Sequence, residues 1–299
     1  MIYTVTLNPA IDYVMEAESF NIGQTNRSLF EYSFVGGKGI NVSTVLKNFG
    51  MESIAMGITA GFTGLEIERM TEREGIKTSF VRTEGKSRIN VKIKHGCETE
   101  INGSGPVVTG ETIENLYRKI SFLKKGDWLV LSGNAPLGVD KNVYAEFIRR
   151  ANGARCVLDA SGALFSSAVK EGVFFVKPNV FEAEEITGIK TENNRENVMR
   201  AARELKKMGA ENVMVTMGRF GAAFSGEEDE FFIAAPDGDV VNTVGSGDSA
   251  VAGFIYAKEM GFDERESVAF AVAAGSAGAF SKTLPTLDET KKLFENMTR

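Results

Sequence analysis

Short β-branched runs alternate with helical patterns along most of this 299-residue chain, and that alternation constrains the fold more than any other feature. A strand that leads into a helix and then into another strand comes back parallel to the first. The pattern therefore implies an α/β fold, a mainly parallel sheet covered on both faces. Residues 2–7, 53–58, 128–131, 156–159, 173–176 and 212–216 read as strands. Residues 39–49 read as a helix with Val42, Val45, Leu46 and Phe49 on one face and Gly50 at its end. A second helix runs over 65–74 to Gly75, and a third over 109–124 sets Ile113, Leu116, Tyr117, Ile120 and Leu123 at helical spacing. Residues 250–257 and 268–280 are apolar almost all round, which predicts two deeply buried helices.

Two segments break the alternation. Residues 88–94 alternate strictly with period two, turn at His95-Gly96 and return over 97–101, a β-hairpin. Residues 13–34 read as strands and loops. Each segment keeps one polar face, as a small sheet does when one side meets solvent or ligand. The expectation is a lid, discontinuous in sequence, built from about 12–35 and 86–103 over the crevice of a single domain spanning 1–299. No linker or repeat divides the chain.

Composition excludes several functions. Forty acidic against thirty-four basic residues leave a charge of -6, the wrong sign for a binder of nucleic-acid backbones. With His95 the only histidine, sites that need two are gone, and a turn residue is its plain reading. Cys97 and Cys156 form no CxxC pair, which fits a reducing compartment. The N-terminus lacks the basic start of a signal peptide. The longest uncharged stretch, 267–281, is shorter than the roughly 18 apolar residues that suggest a membrane span. A cytoplasmic protein without membrane or nucleic-acid partners is expected. GxSxG, GxxxxGK[ST] and GxGxxG are all absent.

Three constellations carry chemistry. Asn242-Thr243-Val244-Gly245-Ser246-Gly247-Asp248-Ser249 is a Gly-rich turn running into an apolar helix, where backbone N–H groups and the helix dipole favour an anion. Asp248 there is either an ordinary first-turn acid or a base that accepts a proton from an attacking hydroxyl. Gly36-Gly37-Lys38-Gly39-Ile40-Asn41 also opens a helix; it is either a tight turn or a close backbone approach to a polyol, with Asn41 bonding the hydroxyls. Asp12, just after the first strand, stands where ligands of parallel sheets collect and is placed to hold sugar hydroxyls.

Together these elements resemble the PfkB, or ribokinase-like, family of carbohydrate kinases. Its N-terminal signature is similar to residues 36–42 and its C-terminal signature, often DTxGAGD, to residues 242–248. Between them the likeness continues through Leu131-Ser132-Gly133, residues 158–162, Lys177-Pro178-Asn179 with Glu182, and residues 215–218 with Gly221. The resemblance implies a three-layer sandwich around the sheet and ATP-dependent phosphoryl transfer with Mg2+. Asp248 is then the base, and the amides of Gly245, Ser246, Gly247 and Asp248 form the anion hole. Asp12, Gly36, Gly37, Lys38, Asn41 and Asn90 line the sugar. Nucleotide falls to Lys177, Asn179, Thr216, Gly218, Gly221, Gly275 and Ser276, and metal to Glu182 with help from Asp159.

The segments TVTLNPAID, Asn26-Arg27, residues 88–92 and residues 99–102 are most similar to the branch acting on fructose 1-phosphate at its 6-hydroxyl. The branch acting on tagatose 6-phosphate is near. Arg27 and Arg88 fall in the lid segments; each alone reads as a solvated charge, and as a pair they read as a phosphate clamp. The sequence departs from the family where Asn134-Ala135 interrupts the usual SGSLP, at Ala160, and at Ser246, where Ala is commoner. Competing readings are another sugar acceptor, a non-catalytic sugar-phosphate sensor and a nicotinamide oxidoreductase. Open lid edges suggest a homodimer through the lid.

Overall fold

The computed structural model describes residues 1–192 and 194–298, with the backbone alone at Cys97. Its strands are β1 (Ile2–Thr6), β2 (Ala10–Glu16), β3 (Phe30–Gly36), β4 (Ser53–Ala60), β5 (Lys77–Thr83), β6 (Arg88–His95) and β7 (Cys97–Asn102). They continue with β8 (Trp128–Ser132), β9 (Arg155–Asp159), β10 (Val173–Val176), β11 (Ala210–Thr216), β12 (Ala222–Ser225) and β13 (Glu230–Ile233). The helices are α1 (Lys38–Asn48), α2 (Gly61–Arg73), α3 (Gly110–Ile120), α4 (Val143–Arg150), α5 (Gly162–Ala168), α6 (Val180–Thr187), α7 (Arg195–Lys207), α8 (Ser246–Glu259), α9 (Glu264–Ala279) and α10 (Leu287–Thr298).

The large sheet has the order β13-β12-β11-β10-β9-β8-β1-β4-β5, and from β11 to β5 every pairing is parallel. Its strands are apolar on both faces. Val5, Leu129, Leu131, Leu158 and Val215 enter one core. Ile2, Trp128, Val130, Val157 and Met214 enter the other, with α1, α8 and α9. A strand buried on both sides needs no polar face, which is why these runs are nearly continuous in apolar residues. The expected three-layer α/β architecture is present.

One hairpin went unread in the sequence. β12 and β13 pair antiparallel at the sheet's edge. Gly221 starts that hairpin at φ 93, where a Cβ would overlap the Ile233 carbonyl oxygen.

The small separate sheet has the order β3-β2-β6-β7 and is made of the two segments that broke the alternation. Asp12 lies opposite Asn90 and Phe34, so these three share a face. Helices α8 and α9 are buried as expected, and they pack so closely that a Cβ at Gly253 would lie 2.7 Å from the Ala274 Cβ. Among the described residues, no helix is long and apolar enough to cross a membrane. Cys156 is free and buried; the side chain of Cys97 lies outside the described ones.

Candidate active site

In the large sheet β4 and β5 lie on one side of β1, and β8 to β11 on the other. Such a reversal of strand order opens a crevice at the carboxyl ends of the strands. Polar side chains gather there. Of seven buried side-chain oxygens without a hydrogen bond among the described residues, four belong to Thr6, Asn8, Ser132 and Asp159 at or just past the ends of β1, β8 and β9. Two more are on Asn90 of β6 and Ser246 of α8. Buried polar atoms are normally paired, so this concentration marks a place built for a polar ligand.

Helix α8 starts at Gly245, which takes φ 81, and a Cβ there would lie 2.6 Å from the Leu284 side chain. Only glycine fits there; Ser246 N–H turns back to the Thr243 carbonyl at 3.3 Å, and the next amides of the first turn, those of Gly247 and Asp248, are left for a ligand. Asp248 sits in that first turn, 4% exposed. Its Oδ2 accepts from Asn41 Nδ2 at 2.8 Å. Burial pushes the Asp248 carboxyl up to about 6, helped by the charge of Asp159 and opposed by the Asn41 bond and by Lys38 and Lys177.

Asp159, at the end of β9, is 2% exposed and faces two ammonium groups, Lys177 at 3.2 Å and Lys38 at 3.5 Å. Burial alone raises its carboxyl, but the two lysines outweigh burial and hold it below the ordinary value. Burial likewise lowers Lys38, while Asp159, Asp248 and Glu182 more than restore it. Lys177 reaches forward to the Gly-rich turn, where a Cβ at Gly247 would lie 3.0 Å from its Nζ.

The second Gly-rich element joins this cluster to the small sheet. Gly37 caps α1 with φ 142, and Gly36 ends β3 so close to Asp12 that a Cβ would lie 2.7 Å from Oδ1. Asp12 accepts from Asn90 Nδ2 at 2.7 Å. Burial raises its carboxyl, against the Asn90 bond and the charges of Lys92 and Arg88. Arg88 donates through Nε to the Asn8 carbonyl at 3.0 Å, and burial lowers its guanidinium.

Arg27 is not with them. It is exposed in the connection between β2 and β3, beyond the Glu16 end of β2, whereas Arg88 lies opposite Ala10 at the other end. At about 3.3 Å per residue those ends are about 20 Å apart, so the expected pair of arginines does not form within one chain. Lys92, which sequence reading passed over, is 7% exposed on the same face as Asp12 and pairs with Glu100 at 3.0 Å. The alternation that put Arg88 and Asn90 on one face also put Lys92 there.

The residues expected at nucleotide lie on adjoining elements. Thr216 ends β11, donates through its N–H to the Pro178 carbonyl at 3.0 Å, and so lies beside Lys177 and Asn179. Gly218 and Gly221 bound the turn that follows. Gly275 of α9 rests on α8, where a Cβ would lie 3.1 Å from the Ser246 carbonyl oxygen, and Ser276 is next to it. Asn179 and Glu182 form a capping box at the start of α6: Glu182 Oε2 accepts from the Asn179 N–H and Asn179 Oδ1 from the Glu182 N–H, both at 2.9 Å. Sequence offered them as ligand residues; the structure adds a helix-capping role that occupies one oxygen of each.

Known proteins resemble this chain over nearly its whole length. The profile described as pfkB family carbohydrate kinase matches residues 6–286. The 1-phosphofructokinase of Bacillus subtilis is 40% identical over 296 residues, 98% of this chain and 97% of that protein. The tagatose-6-phosphate kinase of Staphylococcus epidermidis is 34% identical over 259 residues, 85% and 84% of the two chains. The structure of the tetrameric inhibited form of Escherichia coli phosphofructokinase-2 superposes with a TM-score of 0.92 at 27% identity, covering 100% of this chain and 99% of that one. With both Gly-rich elements in place at one crevice and a family match across nearly the whole chain, this protein belongs to the pfkB family of carbohydrate kinases.

Proposed function

We propose that this protein transfers the γ-phosphoryl group of ATP to the 6-hydroxyl of fructose 1-phosphate, giving fructose 1,6-bisphosphate. The observation that carries the reading is Asp248, a buried carboxylate at a helix N-terminus, tethered by Asn41 and raised toward neutrality. Such a group takes the proton of an alcohol as the alcohol attacks, then holds it on the carboxyl. The amides of Gly245, Ser246, Gly247 and Asp248 meet the oxygens of the group in flight, where fixed donors lower the barrier most.

In this reading the acceptor rests on the small sheet. Asp12, Asn90 and Asn41 bond its hydroxyls, Gly36 and Gly37 let the backbone approach, and Lys38 stands between acceptor and phosphoryl group. Arg88 faces the acceptor's phosphate with the guanidinium nitrogens that Asn8 leaves free. Lys177 and Asn179 serve the nucleotide phosphates, Thr216, Gly218 and Gly221 the ribose and phosphates, and Gly275 and Ser276 the purine side.

Among the described residues no three acidic, cysteine or histidine side chains gather into a metal cage. Magnesium on a nucleotide keeps several waters and needs few protein ligands. Glu182 fits that demand, since Oε2 is in the capping box and Oε1 has no hydrogen bond among the described residues. The metal, when bound, offsets charge between the β- and γ-phosphates.

The small sheet acts as a lid, and two lids pair in a homodimer. Edge strand β3 exposes Phe30, Tyr32 and Phe34, an apolar row that a second copy would cover. Arg27 takes part in acceptor binding only across that interface.

An ADP-release assay on fructose 1-phosphate, tagatose 6-phosphate, fructose 6-phosphate and free fructose tests the proposal. The highest kcat/KM is expected with fructose 1-phosphate. Preference for tagatose 6-phosphate would move the chain to that branch, and no ADP with any sugar would leave a binding protein.

A further inference from the structure

The convergence of two lysines on one buried carboxylate is not explained by phosphate binding alone. Asp159 ends β9, Lys177 follows β10, and Lys38 opens α1, so three elements far apart in sequence meet at two oxygens. The grips are unequal. Lys177 is 5% exposed and lies against the Gly-rich turn; Lys38 is 43% exposed and its stem runs over Gly133. Each lysine carries a compact charge on a flexible four-carbon stem and needs a partner to stay aimed.

We propose that Asp159 is a positioning residue that holds Lys38 and Lys177 toward the phosphoryl group in transit, and that it is not a ligand of the metal. A cation bound directly at this carboxylate would sit beside two ammonium groups, both within 3.5 Å of its oxygens, and would have to displace one of them. Before substrate arrives, the two lysines, Asp159 and Asp248 balance in charge. Incoming phosphate then meets cations already oriented, so little rearrangement is needed as the transition state forms. A buried carboxylate between two lysines in a crevice is the kind of group that serves a site. The inference rests on the kinase reading for its kinetic part alone.

The test compares Asp159→Asn, Lys38→Met and the double variant, with Asp159→Glu as a variant that keeps the buried charge should the first fail to fold. We expect Asp159→Asn to lower kcat at least tenfold while the acceptor KM stays within threefold. The double variant should be no more than threefold slower than Lys38→Met, and the magnesium dependence should match the unsubstituted protein. Asp159→Glu, which moves the carboxylate by one methylene, should lose at least fivefold in kcat. Defects that multiply in the double variant, recovery of Asp159→Asn by excess magnesium, or full turnover in Asp159→Glu would each overturn the proposal. If the unsubstituted protein releases no ADP with any sugar phosphate, the kinase reading fails, and a crystal structure of the Asp159 variant decides the rest. Displacement of the two Nζ atoms supports positioning; both unmoved refutes it.

Discussion

Asn41 of α1 donates a 2.8 Å hydrogen bond to Asp248 of α8, a residue 207 positions further along the chain. One side chain thereby touches both Gly-rich elements, and the bond fixes which way the buried carboxylate points.

Replacing Asp248 by Asn keeps the shape and removes the proposed base. Turnover should fall by roughly 10²–10⁴-fold, the usual contribution of a positioned general base. Steady-state kinetics should show the acceptor KM changed by less than about threefold, because the proposed hydroxyl contacts are those of Asp12 and Asn90.

The acidity of Asp248 sets two pH effects. As the proposed base, Asp248 would work only when ionised, so kcat should rise through about pH 6 and level off above it. Asn41→Ala removes a bond that lowers this value, so the rise should move to higher pH. In stability the sign is reversed. A folded value raised from 3.8 to about 6 means that the folded state binds the extra proton, so the carboxylate's cost is full above about pH 6 and vanishes below about 4. That cost is on the order of 3 kcal/mol. Asp248→Asn should therefore melt several degrees above the unsubstituted protein at pH 8, with the gap closing toward pH 4, as calorimetry would show.

Arg88→Ala should raise the KM for the phosphorylated acceptor by about ten- to a hundredfold, since bonds to charged groups contribute roughly 1.5–3 kcal/mol each. ATP KM should hardly change. An acceptor KM left unaltered would remove Arg88 from the phosphate site.

Gly36→Ala tests the approach of β3 to Asp12. Its backbone lies outside the left-handed region, so the added methyl acts by contact alone, 2.7 Å from Asp12 Oδ1. Asp12 must move, and acceptor affinity should drop at least tenfold while the melting temperature falls by only a few degrees.

Tyr32→Lys and Phe34→Glu, placed together on the exposed face of β3, should convert a dimer to a monomer. Light scattering reads the mass directly. A mass of four chains, as in the tetrameric inhibited form of Escherichia coli phosphofructokinase-2, would call for a second interface.

How much of this was readable from sequence differs by element. The parallel core was legible because its strands are buried on both faces and run as unbroken apolar stretches, as in 128–131. Of the small-sheet segments, 88–94 stood out because it alternates with period two, and 13–34 because it reads as strands and loops where a helix would continue the pattern. The hairpin β12–β13 escaped because four-residue strands carry too little pattern. At the site, glycine spacing located Asp248 and Asn41 but not the bond between them, which depends on helices folded together across the whole chain. The separation of Arg27 from Arg88 was hidden for a similar reason: residue type suggests a clamp, and only strand register shows that one chain holds the two at opposite ends of the small sheet. Asn179 and Glu182 follow the N-cap spacing, and the capping box could have been read from it.

Strand β1 precedes every other strand of the large sheet in synthesis, while α8 and α9, which share a core with its Ile2, come long after. A nascent chain consequently carries Asp12, Asn41 and Asn90 for most of translation without Asp248. The Asn41–Asp248 bond can form only once α8 has left the ribosome, so a chain that stopped before α8 would leave the crevice half built.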